Sequence, residues 1–415
     1  MRIIFICCEY PPFPHGGIGT FVHTLANGLQ ARGHHIIVVG LGEKKMQWKD
    51  GEIEVFVLQN SKIPYLGNMI SRLYLYLWLR DRVTKEQIDI VETPEFLGML
   101  PFGLWDCPVV VRLHQSSTAI YLHRGQRIPK GIALYEELTL RMNSVWAAVS
   151  NNVYVYTCKI FEIQPWRVRT IYNPVPISES SPLAIPELPV KFLFSAGQVS
   201  RTKGVVELAE AAREVMKTDA DLHLVYAGGH ISVEASVPIS EEILRAVGPE
   251  LIGRVHFLGH IEHSQVLGCM AKATVYVFPS RLEAFGMVVL EAMHCGVPVV
   301  CSSYPPGPEI ITDGFDGLLA DPTSSSDLVE KIIRILQDPK LAEQLASNAK
   351  RTVEKRFSLE KCVSETESFY AECLSTTTNT ANRSFIWQLF MSLLARCIKK
   401  NVRFKRNAPL FPERF

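Results

Sequence analysis

The sequence lacks an excess of charge of either sign, a metal-binding cysteine pattern and any long uncharged hydrophobic run. Its 43 basic and 42 acidic residues almost balance, so the overall charge does not indicate a nucleic-acid partner. The ten cysteines include no C-x-x-C pair. This pattern is typical of free thiols in a reducing compartment, and it predicts a cytoplasmic protein. No segment contains the ~18 uncharged apolar residues that a membrane-spanning helix needs.

Short apolar runs alternate with helical patterns in the first part of the chain. IIFIC, residues 3–7, is a continuous apolar run of the kind found in strands buried on both faces. GTFVHTLANGLQARG, residues 19–33, has helical periodicity and ends at a glycine. This alternation predicts an α/β fold with a parallel, doubly wound sheet. The further strands predicted in this part are residues 35–40, 88–92, 108–114 and 144–150.

A segment rich in proline and serine, residues 173–190, interrupts the alternation. Helices and central strands do not tolerate that density of proline, so it predicts an interdomain linker. The strand–helix pattern begins again at residue 191, with strands predicted at residues 191–197, 222–229, 254–259, 274–280 and 297–303. We therefore predict a Rossmann-like domain over 1–175, a linker over 176–190, a second Rossmann-like domain over 191–357, a helix over 358–374 that packs back on the first domain, and a tail over 375–415.

The loop after the first strand has the composition of an anion site. It contains Gly16, Gly17 and Gly19 where a helix is predicted to begin. Glycine allows close backbone approach, and the free amides of a helix N-terminus favour anions. The alternative is that these glycines serve only helix–sheet packing. Their spacing is not the G-x-G-x-x-G of dinucleotide-binding proteins.

The loop that opens the second half, residues 195–208, carries two cations. Arg201 and Lys203 stand directly before a predicted helix, after a strand that ends at Gly197. Two cations beside a helix N-terminus would neutralise a diphosphate. The alternative is an ordinary solvated basic loop.

Two glutamates occur in an otherwise almost wholly apolar stretch, residues 280–300. Glu283 falls in a loop and Glu291 about one turn into a helix that is predicted to begin near Gly286. The amides of Met287 and Val288 would be free for phosphate. Ionised carboxylates accept hydrogen bonds and suit sugar hydroxyls. A diphosphate flanked by two sugars, a nucleotide sugar, would satisfy all of these groups.

At this stretch the chain resembles a known family. E-A-F-G-x4-E followed by A-M-x-C-G-V-P-V-V is similar to the E-x7-E signature of retaining family 4 glycosyltransferases. The resemblance extends over roughly residues 1–370. It implies the GT-B fold, two Rossmann-like domains facing across a cleft, and reaction with retention. The other similar segments are YPPFPHGGIGTFVHTLANGLQARGH, VRLHQSS, VSNNV, IYNPV, SAGQVSRTKGVVEL, RVHFLGHI and PPGPEIITDGFDGLLADP.

The resemblance also implies roles for individual residues. His114 would contact the transferring sugar, Lys203 the diphosphate and Glu283 the hydroxyls of the donor sugar, and we take these three as the catalytic set. Glu291 would bind the ribose, and residues 256–260 would pass near the base. The donor-binding set is Gly16, Gly17, Gln198, Arg201, Lys203, His256, Leu258, Glu283, Phe285, Gly286, Met287, Val288 and Glu291.

One position departs from the family pattern. The family usually has arginine directly after the glycine that is Gly197 here, whereas this chain has Gln198. Arg201, in the same loop, is the candidate to compensate. If it does not, a non-catalytic protein that binds sugar nucleotides or glycans becomes an alternative.

A metal is not expected as a cofactor. Asp219 and Asp221 match the D-x-D motif of other glycosyltransferases, but they precede a strand and so belong to the opposite edge of the sheet. The cations Arg201 and Lys203 make a metal unnecessary for charge balance. At the predicted acceptor side, Glu92 is expected to bind acceptor hydroxyls together with the nearby Glu95, or to have a capping or solvated role.

Two segments suggest contact with a membrane surface. Residues 384–406 combine large apolar side chains with six basic residues at their C-terminal end. Residues 68–82, NMISRLYLYLWLRDR, are aromatic and basic. The alternative for both is a helix packed on the body of the protein.

The sequence thus predicts a metal-independent glycosyltransferase, peripheral on the inner face of a membrane. It would move a sugar from a nucleotide sugar to a lipid-linked, polysaccharide or small-molecule hydroxyl. The alternatives are an epimerase or hydrolase of nucleotide sugars with the same fold, or the non-catalytic binding protein.

Overall fold

The computed structural model describes residues 1–13, 16–104, 106–175, 185–229 and 237–376. Most of the predicted linker, residues 176–184, and the tail from residue 377 lie outside the described residues. The chain divides into two compact units. Unit 1 contains Met1–Val149, Val153–Ile171 and the chain from Cys362 onward, and unit 2 contains Ser150–Asn152 and Tyr172–Lys361. Both units are α/β with a largely parallel sheet, the predicted fold class.

Among the described residues, the sheet of unit 1 has eight strands, and its first strand lies near the centre. The strands are β1 Arg2–Ile6, β2 His35–Gly42, β3 Met46–Asp50, β4 Ile53–Gln59, β5 Ile90–Pro94, β6 Val109–Leu113, β7 Val145–Ala148 and β8 Arg167–Thr170. Their order is β3-β4-β2-β1-β5-β6-β7-β8. All neighbours pair in parallel apart from the antiparallel β3 and β4. Because β1, β5 and β6 are parallel, the loops that follow them all begin at the carboxyl edge of the sheet.

The helices of unit 1 cover the sheet with their apolar faces. They are α1 Gly17–Ala31, α2 Gly67–Glu86, α3 Ser117–His123, α4 Lys130–Met142 and α5 Asn151–Phe161. The core contains Ile4, Ile37 and Val91 from the strands, with Leu75 and Leu79 from α2 packed on them. This packing fixes α2 on the sheet by one face.

The β3–β4 hairpin was not predicted. β3 reads MQWKD and no residue of it is fully buried, so it lacks the apolar pattern by which the other strands were predicted. It ends the sheet and turns through Gly51, which has φ of 59°. An exposed edge strand with charged residues is a common way to limit edge-to-edge pairing.

Among the described residues, the sheet of unit 2 has six strands, all parallel. They are β9 Lys191–Ala196, β10 Leu222–Ala227, β11 Val255–Phe257, β12 Val275–Phe278, β13 Val299–Ser302 and β14 Leu318–Ala320. Their order is β11-β10-β9-β12-β13-β14. The helices of this unit are α6 Val205–Thr218, α7 Ile239–Val247, α8 His263–Lys272, α9 Met287–Cys295, α10 Gly307–Ile310, α11 Ser325–Gln337 and α12 Pro339–Arg356.

The last described helix, α13 Leu359–Thr376, contributes most of its length to unit 1. Tyr370 is fully buried there and its hydroxyl donates a hydrogen bond to Glu92 Oε2 at 2.6 Å. Nearer the surface, Glu367 pairs with Arg32 at 2.7 Å. Polar contacts at both depths therefore hold α13 in unit 1. No helix in the described part of the chain is long and apolar enough to span a bilayer.

Candidate functional site

Two loops of unit 2 lie in contact at the carboxyl edge of its sheet. One follows β9 and the other follows β12. The Arg281 amide donates a hydrogen bond to the Thr202 carbonyl at 2.8 Å. Gly204 has φ of 67°, and a Cβ there would lie 2.1 Å from the carbonyl oxygen of Pro279. Only glycine fits this close approach, which brings Lys203 of the first loop to Glu283 of the second.

Lys203 and Glu283 form an ion pair between Nζ and Oε1. Their side chains are 21% and 19% exposed, so the pair is shielded but still reachable by a ligand. The ammonium also lies 5.6 Å from the centre of the Phe278 ring. A cation and an acceptor-only carboxylate are thus adjacent, next to the start of α9.

Helix α9 begins and ends as the sequence predicts. Gly286 precedes it with φ of 93°, and Gly296 follows it with φ of 75°. The helix cannot pair the amides of Met287 and Val288 internally, because they belong to its first turn. A small, open pocket lies beside this helix end. Its walls are Phe278, Ser280, Glu283, Phe285, Gly286 and Val289 on one side and Cys301, Ser302, Tyr304, Pro305, Pro306, Gly307 and Ile310 on the other.

The second wall, from the loop between β13 and α10, was not among the predicted site residues. Its signal in the sequence is the Pro-Pro-Gly run that directly follows a buried strand. Such a run marks a tight loop at the ligand-binding edge of a parallel sheet.

Glu291 is 7% exposed and points to α8. Its Oε1 lies 3.0 Å from Nε2 of His263, the first residue of that helix. The hydrogen bond to Glu291 raises the pKa of His263 above its ordinary value. Glu291 is therefore the buried partner of an exposed histidine, which the sequence did not indicate.

Two further predicted donor-binding side chains, those of Arg201 and Phe285, contact other residues. Arg201 lies in the same turn as Lys203, but its guanidinium pairs with Glu242 of α7 at 2.6 Å. The ring of Phe285 is buried and stacks on Tyr172 with centroids 5.4 Å apart.

His256 does not match its predicted place. Its Nε2 lies 2.9 Å from Nδ1 of His223, the second residue of β10. The imidazole is therefore turned towards the amino end of the sheet, away from the ligand edge. Leu258 and Gln198 do follow their strands at the carboxyl edge, and Gln198 is exposed.

In unit 1, the loop after β1 places the carboxylate of Glu9 at the N-terminus of α1. Glu9 Oε1 accepts a hydrogen bond from the Gly19 amide at 3.0 Å. A Cβ on Gly16 would lie 3.5 Å from both carboxylate oxygens, whereas one on Gly17 would meet nothing within 4 Å. The N-terminus of α1 thus already contacts an anionic group, while the space at Gly17 is open. Glu9 was missed, although it is the acidic residue that follows the first strand.

His114 directly follows β6 and is 9% exposed. Its ring packs edge-on against Phe21 with centroids 4.9 Å apart. Burial, and then the charge of Arg112, lower the pKa of His114 to about 3. The imidazole is therefore neutral at physiological pH, and it offers a hydrogen bond rather than a charge.

The prediction that Glu92 and Glu95 bind acceptor hydroxyls is inconsistent with the structure. Both side chains are buried, at 3% and 0% exposure. Glu92 accepts two hydrogen bonds from Arg112, at 3.0 and 2.9 Å. Glu95 accepts the amides of His114 and Gln115, at 2.8 and 2.6 Å. Both carboxylates already accept hydrogen bonds within unit 1, so they stabilise the fold and are not available to acceptor hydroxyls.

Glu95 instead shapes the loop that carries His114. Gln115 has φ of 95°, a strained value for a residue with a side chain. The carboxylate of Glu95 holds both amides of this turn. Burial raises the pKa of Glu95 to about 8, and the bonds from the two amides oppose that shift.

Among the described residues, no group of three or more His, Cys, Asp or Glu side chains is arranged to hold a metal. Asp219, of the D-x-D match, pairs with Lys191 at 2.5 Å and precedes β10.

Comparison with known proteins identifies the class that the fold and the loop chemistry define. Solved structures with the GT-B fold match 90% of the chain, and the two parallel-sheet units have that fold. The pattern of glycosyltransferase family 4 matches residues 15–179, and that of the group 1 glycosyl transferases matches residues 183–352. The chain belongs to this family of glycosyltransferases, as its sequence motifs predicted.

Individual relatives are similar over nearly the whole chain. An uncharacterised glycosyltransferase of Methanocaldococcus jannaschii is 26% identical over 90% of this chain and 98% of its own. Sucrose-phosphate synthase of Thermosynechococcus elongatus is 20% identical, with a TM-score of 0.71 over 90% of this chain and 99% of its own. Anabaena HepE, solved in complex with UDP and glucose, is 20% identical, with a TM-score of 0.66 over 90% of this chain and 100% of its own.

Proposed function

We propose that this glycosyltransferase takes its sugar from a nucleoside-diphosphate sugar and transfers it, with retention and without a metal, to a hydroxyl acceptor. The observation that carries the proposal is the Lys203–Glu283 pair beside the first turn of α9. A cation and two helix amides suit a diphosphate, and the adjacent carboxylate suits sugar hydroxyls. The fold it shares with HepE, which was solved with UDP and glucose, supports this donor class.

In this proposal, the donor breaks an existing contact when it binds. Lys203 exchanges Glu283 for the diphosphate, and Glu283 becomes free to accept the hydroxyls of the sugar. Glu291 accepts the ribose hydroxyls, and its bond to His263 sets the direction of its carboxylate. The exposed Gln198 provides no charge, so Lys203 is the principal cation at the phosphates.

The chemical step is a substitution at the anomeric carbon. The bond from that carbon to the phosphate oxygen breaks, and the acceptor oxygen bonds to the same face. The acceptor proton passes to the leaving diphosphate. His114 is assigned to the transferring sugar by the family resemblance, and its neutral imidazole would act there by hydrogen bonding.

For the acceptor we propose a lipid-linked glycan or a polysaccharide, used by an enzyme peripheral on a membrane. The apolar and basic character of residues 68–82 supports this class. The cytoplasmic location stays a prediction from the cysteine pattern.

The test distinguishes the role of Lys203 from that of Glu283 by substituting each residue separately. UDP-, GDP- and ADP-sugars are first screened by calorimetry to find the donor nucleotide. Lys203→Ala should then lower turnover of the selected donor by about 100- to 1,000-fold, because it removes a charge from the leaving group. It should also weaken binding of the free nucleoside diphosphate.

Glu283→Gln should behave differently. The free nucleoside diphosphate should bind as tightly as before or more tightly, because Lys203 loses its competing partner, while the extra affinity for the sugar should disappear. Lys217→Ala, which removes an exposed lysine paired with Glu214 on α6, is the matched control. Full turnover in both Lys203→Ala and Glu283→Gln would refute the proposal.

A further inference from the structure

The first half of α2 and the loop before it expose an unusual amount of apolar surface. Seven of the fifteen large apolar side chains that are exposed in the described residues fall between positions 63 and 77. One of them, Tyr65, is fully exposed, and the others are between 39% and 51% exposed. Contiguous apolar surface of this kind usually marks a binding site. The seven are Ile63, Tyr65, Leu66, Met69, Leu73, Tyr74 and Leu77, and we call them the α2 patch.

Part of the α2 patch is one face of α2, and Ile63, Tyr65 and Leu66 lie in the chain directly before it. Leu66, Met69, Leu73 and Leu77 recur every three or four residues and so align along the helix. The opposite face is buried in the core of unit 1 through residues such as Leu75 and Leu79. The exposed face of the first three turns is apolar, whereas Ser71 and Arg72 lie on the buried face beside Leu75.

Within the sequence that contains the α2 patch, the charges have one sign. No acidic residue occurs between positions 61 and 80. Lys62 is exposed just before the helix, and Arg80 is exposed one turn beyond Leu77. The first acidic residue, Asp81, pairs with Lys85 at 2.7 Å. The apolar stripe thus has a basic residue at each end.

We propose that the α2 patch docks on a lipid bilayer that carries anionic headgroups. This inference rests on the proposed function, since it gives an enzyme with a lipid-linked acceptor its membrane contact. An amphipathic face of aromatic and aliphatic side chains lies in the headgroup region with its basic rim at the surface. Each basic residue near an anionic leaflet adds to the attraction.

The basic residues beside the α2 patch argue against two other binding partners, a second copy of this chain and the chain's own tail. A symmetric dimer through the α2 patch would place the same basic rim on both subunits. The chain's own tail, residues 384–406, contains six basic residues and no acidic one. Either would add like charges to Lys62 and Arg80, whereas anionic lipid complements them.

The experiment measures sedimentation of the full-length protein with vesicles of phosphatidylcholine, alone or mixed with phosphatidylglycerol. Leu73→Glu/Leu77→Glu should lower binding to the mixed vesicles by at least about tenfold, because it places two charges in the inserted face. Ile252→Glu is the matched control, since Ile252 is equally exposed, at 42%, but lies in unit 2. Lys62→Gln/Arg80→Gln should reduce the preference for phosphatidylglycerol.

Several results would overturn the assignment. It fails if the wild-type protein does not sediment with vesicles, or if Leu73→Glu/Leu77→Glu sediments like Ile252→Glu, which would place any membrane contact elsewhere. It also fails if light scattering shows that the double variant converts a dimer into a monomer. Nucleotide binding by calorimetry should be the same in all variants. If the wild type binds vesicles through the patch but binds no nucleotide, the proposed function fails and the docking surface stands.

Discussion

At the scale of single residues, burial decides which groups can carry charge. His114 lies beside the buried guanidinium of Arg112 and against Phe21. Burial, with that cation, lowers its pKa from the ordinary 6.5 to about 3. His263 is the opposite case, since its hydrogen bond to Glu291 raises its pKa. Two histidines of one chain therefore have different charge states over the same pH range.

This difference predicts separate titrations. We expect the NMR signals of the His263 ring to begin shifting at a pH above 6.5 as the pH is lowered, whereas those of His114 stay at their neutral positions. His114→Gln and His263→Gln identify the two sets of signals. A His114 signal that titrates near 6.5 would contradict the burial argument.

The same shift makes the stability of the fold depend on pH. The unfolded chain protonates His114 below pH 6.5, but the folded chain protonates it only near 3. The contribution of the neutral His114 to the free energy of unfolding is therefore present above pH 6.5 and is lost as the pH falls below that value.

The strand–loop–helix pattern of the sequence is enough to predict that Lys203 and Glu283 lie close together, whereas their roles in donor binding stay predictions. Lys203 and Glu283 each follow a parallel strand, and β9 and β12 are adjacent in the sheet, so their proximity follows from topology. His256 was misplaced because its strand position does not fix the direction of the side chain. The roles of Glu9 and Glu95 were not predictable, because each depends on loop amides whose positions only the folded chain defines.

At the scale of elements, one buried polar cluster joins the central sheet of unit 1 to α13. Glu92 of β5 accepts hydrogen bonds from Arg112 of β6 and from Tyr370 of α13. Burial opposes the charge of Arg112, but Glu92 outweighs it and holds the pKa of the guanidinium above its ordinary value. A buried ion pair of this kind is costly to leave with one partner missing.

Removing only the tyrosine hydroxyl should loosen α13. In Tyr370→Phe, Glu92 loses the hydrogen bond at 2.6 Å, and the stability of unit 1 should fall by about 1–3 kcal/mol. Hydrogen exchange followed by mass spectrometry should show faster exchange in α13. Tyr74→Phe, at an exposed position on α2, is the control and should leave exchange unchanged. Equal protection of α13 in both variants would show that apolar packing alone holds the helix.

The elements that were predicted best are those with a continuous apolar run. β1, β2, β9 and β10 are buried on both faces and were expected at nearly their observed positions. β8 was not predicted, because its four residues, RVRT, include two arginines and are only partly buried. Residues 254–259 were predicted as a strand, but β11 covers only Val255–Phe257, and Gly259 follows with φ of 67°. Edge strands carry too little apolar pattern to be read without their neighbours.

At the scale of the whole molecule, the near-zero net charge conceals local groups of charged side chains. In each unit, charged side chains such as Glu9 and Lys203 lie in loops at the carboxyl edge of the sheet. In unit 2 the cation next to the start of α9 is Lys203. A fixed cation and helix amides at a leaving diphosphate can replace the divalent metal that other phosphate-transfer sites require.

If Lys203 and the amides of α9 supply that stabilisation, chelation should not affect the reaction. We expect the rate of transfer, measured as release of nucleoside diphosphate, to be unchanged when EDTA is added and unchanged again when Mg²⁺ or Mn²⁺ is restored. Asp219→Asn/Asp221→Asn should retain activity, because Asp219 pairs with Lys191 before β10 and so lies at the edge of the sheet away from the α9 pocket. Circular dichroism checks that this variant folds. Loss of activity in EDTA together with loss in the folded double variant would restore the D-x-D pair as a metal site, and Lys203 would then lack the role that its pairing with Glu283 suggests.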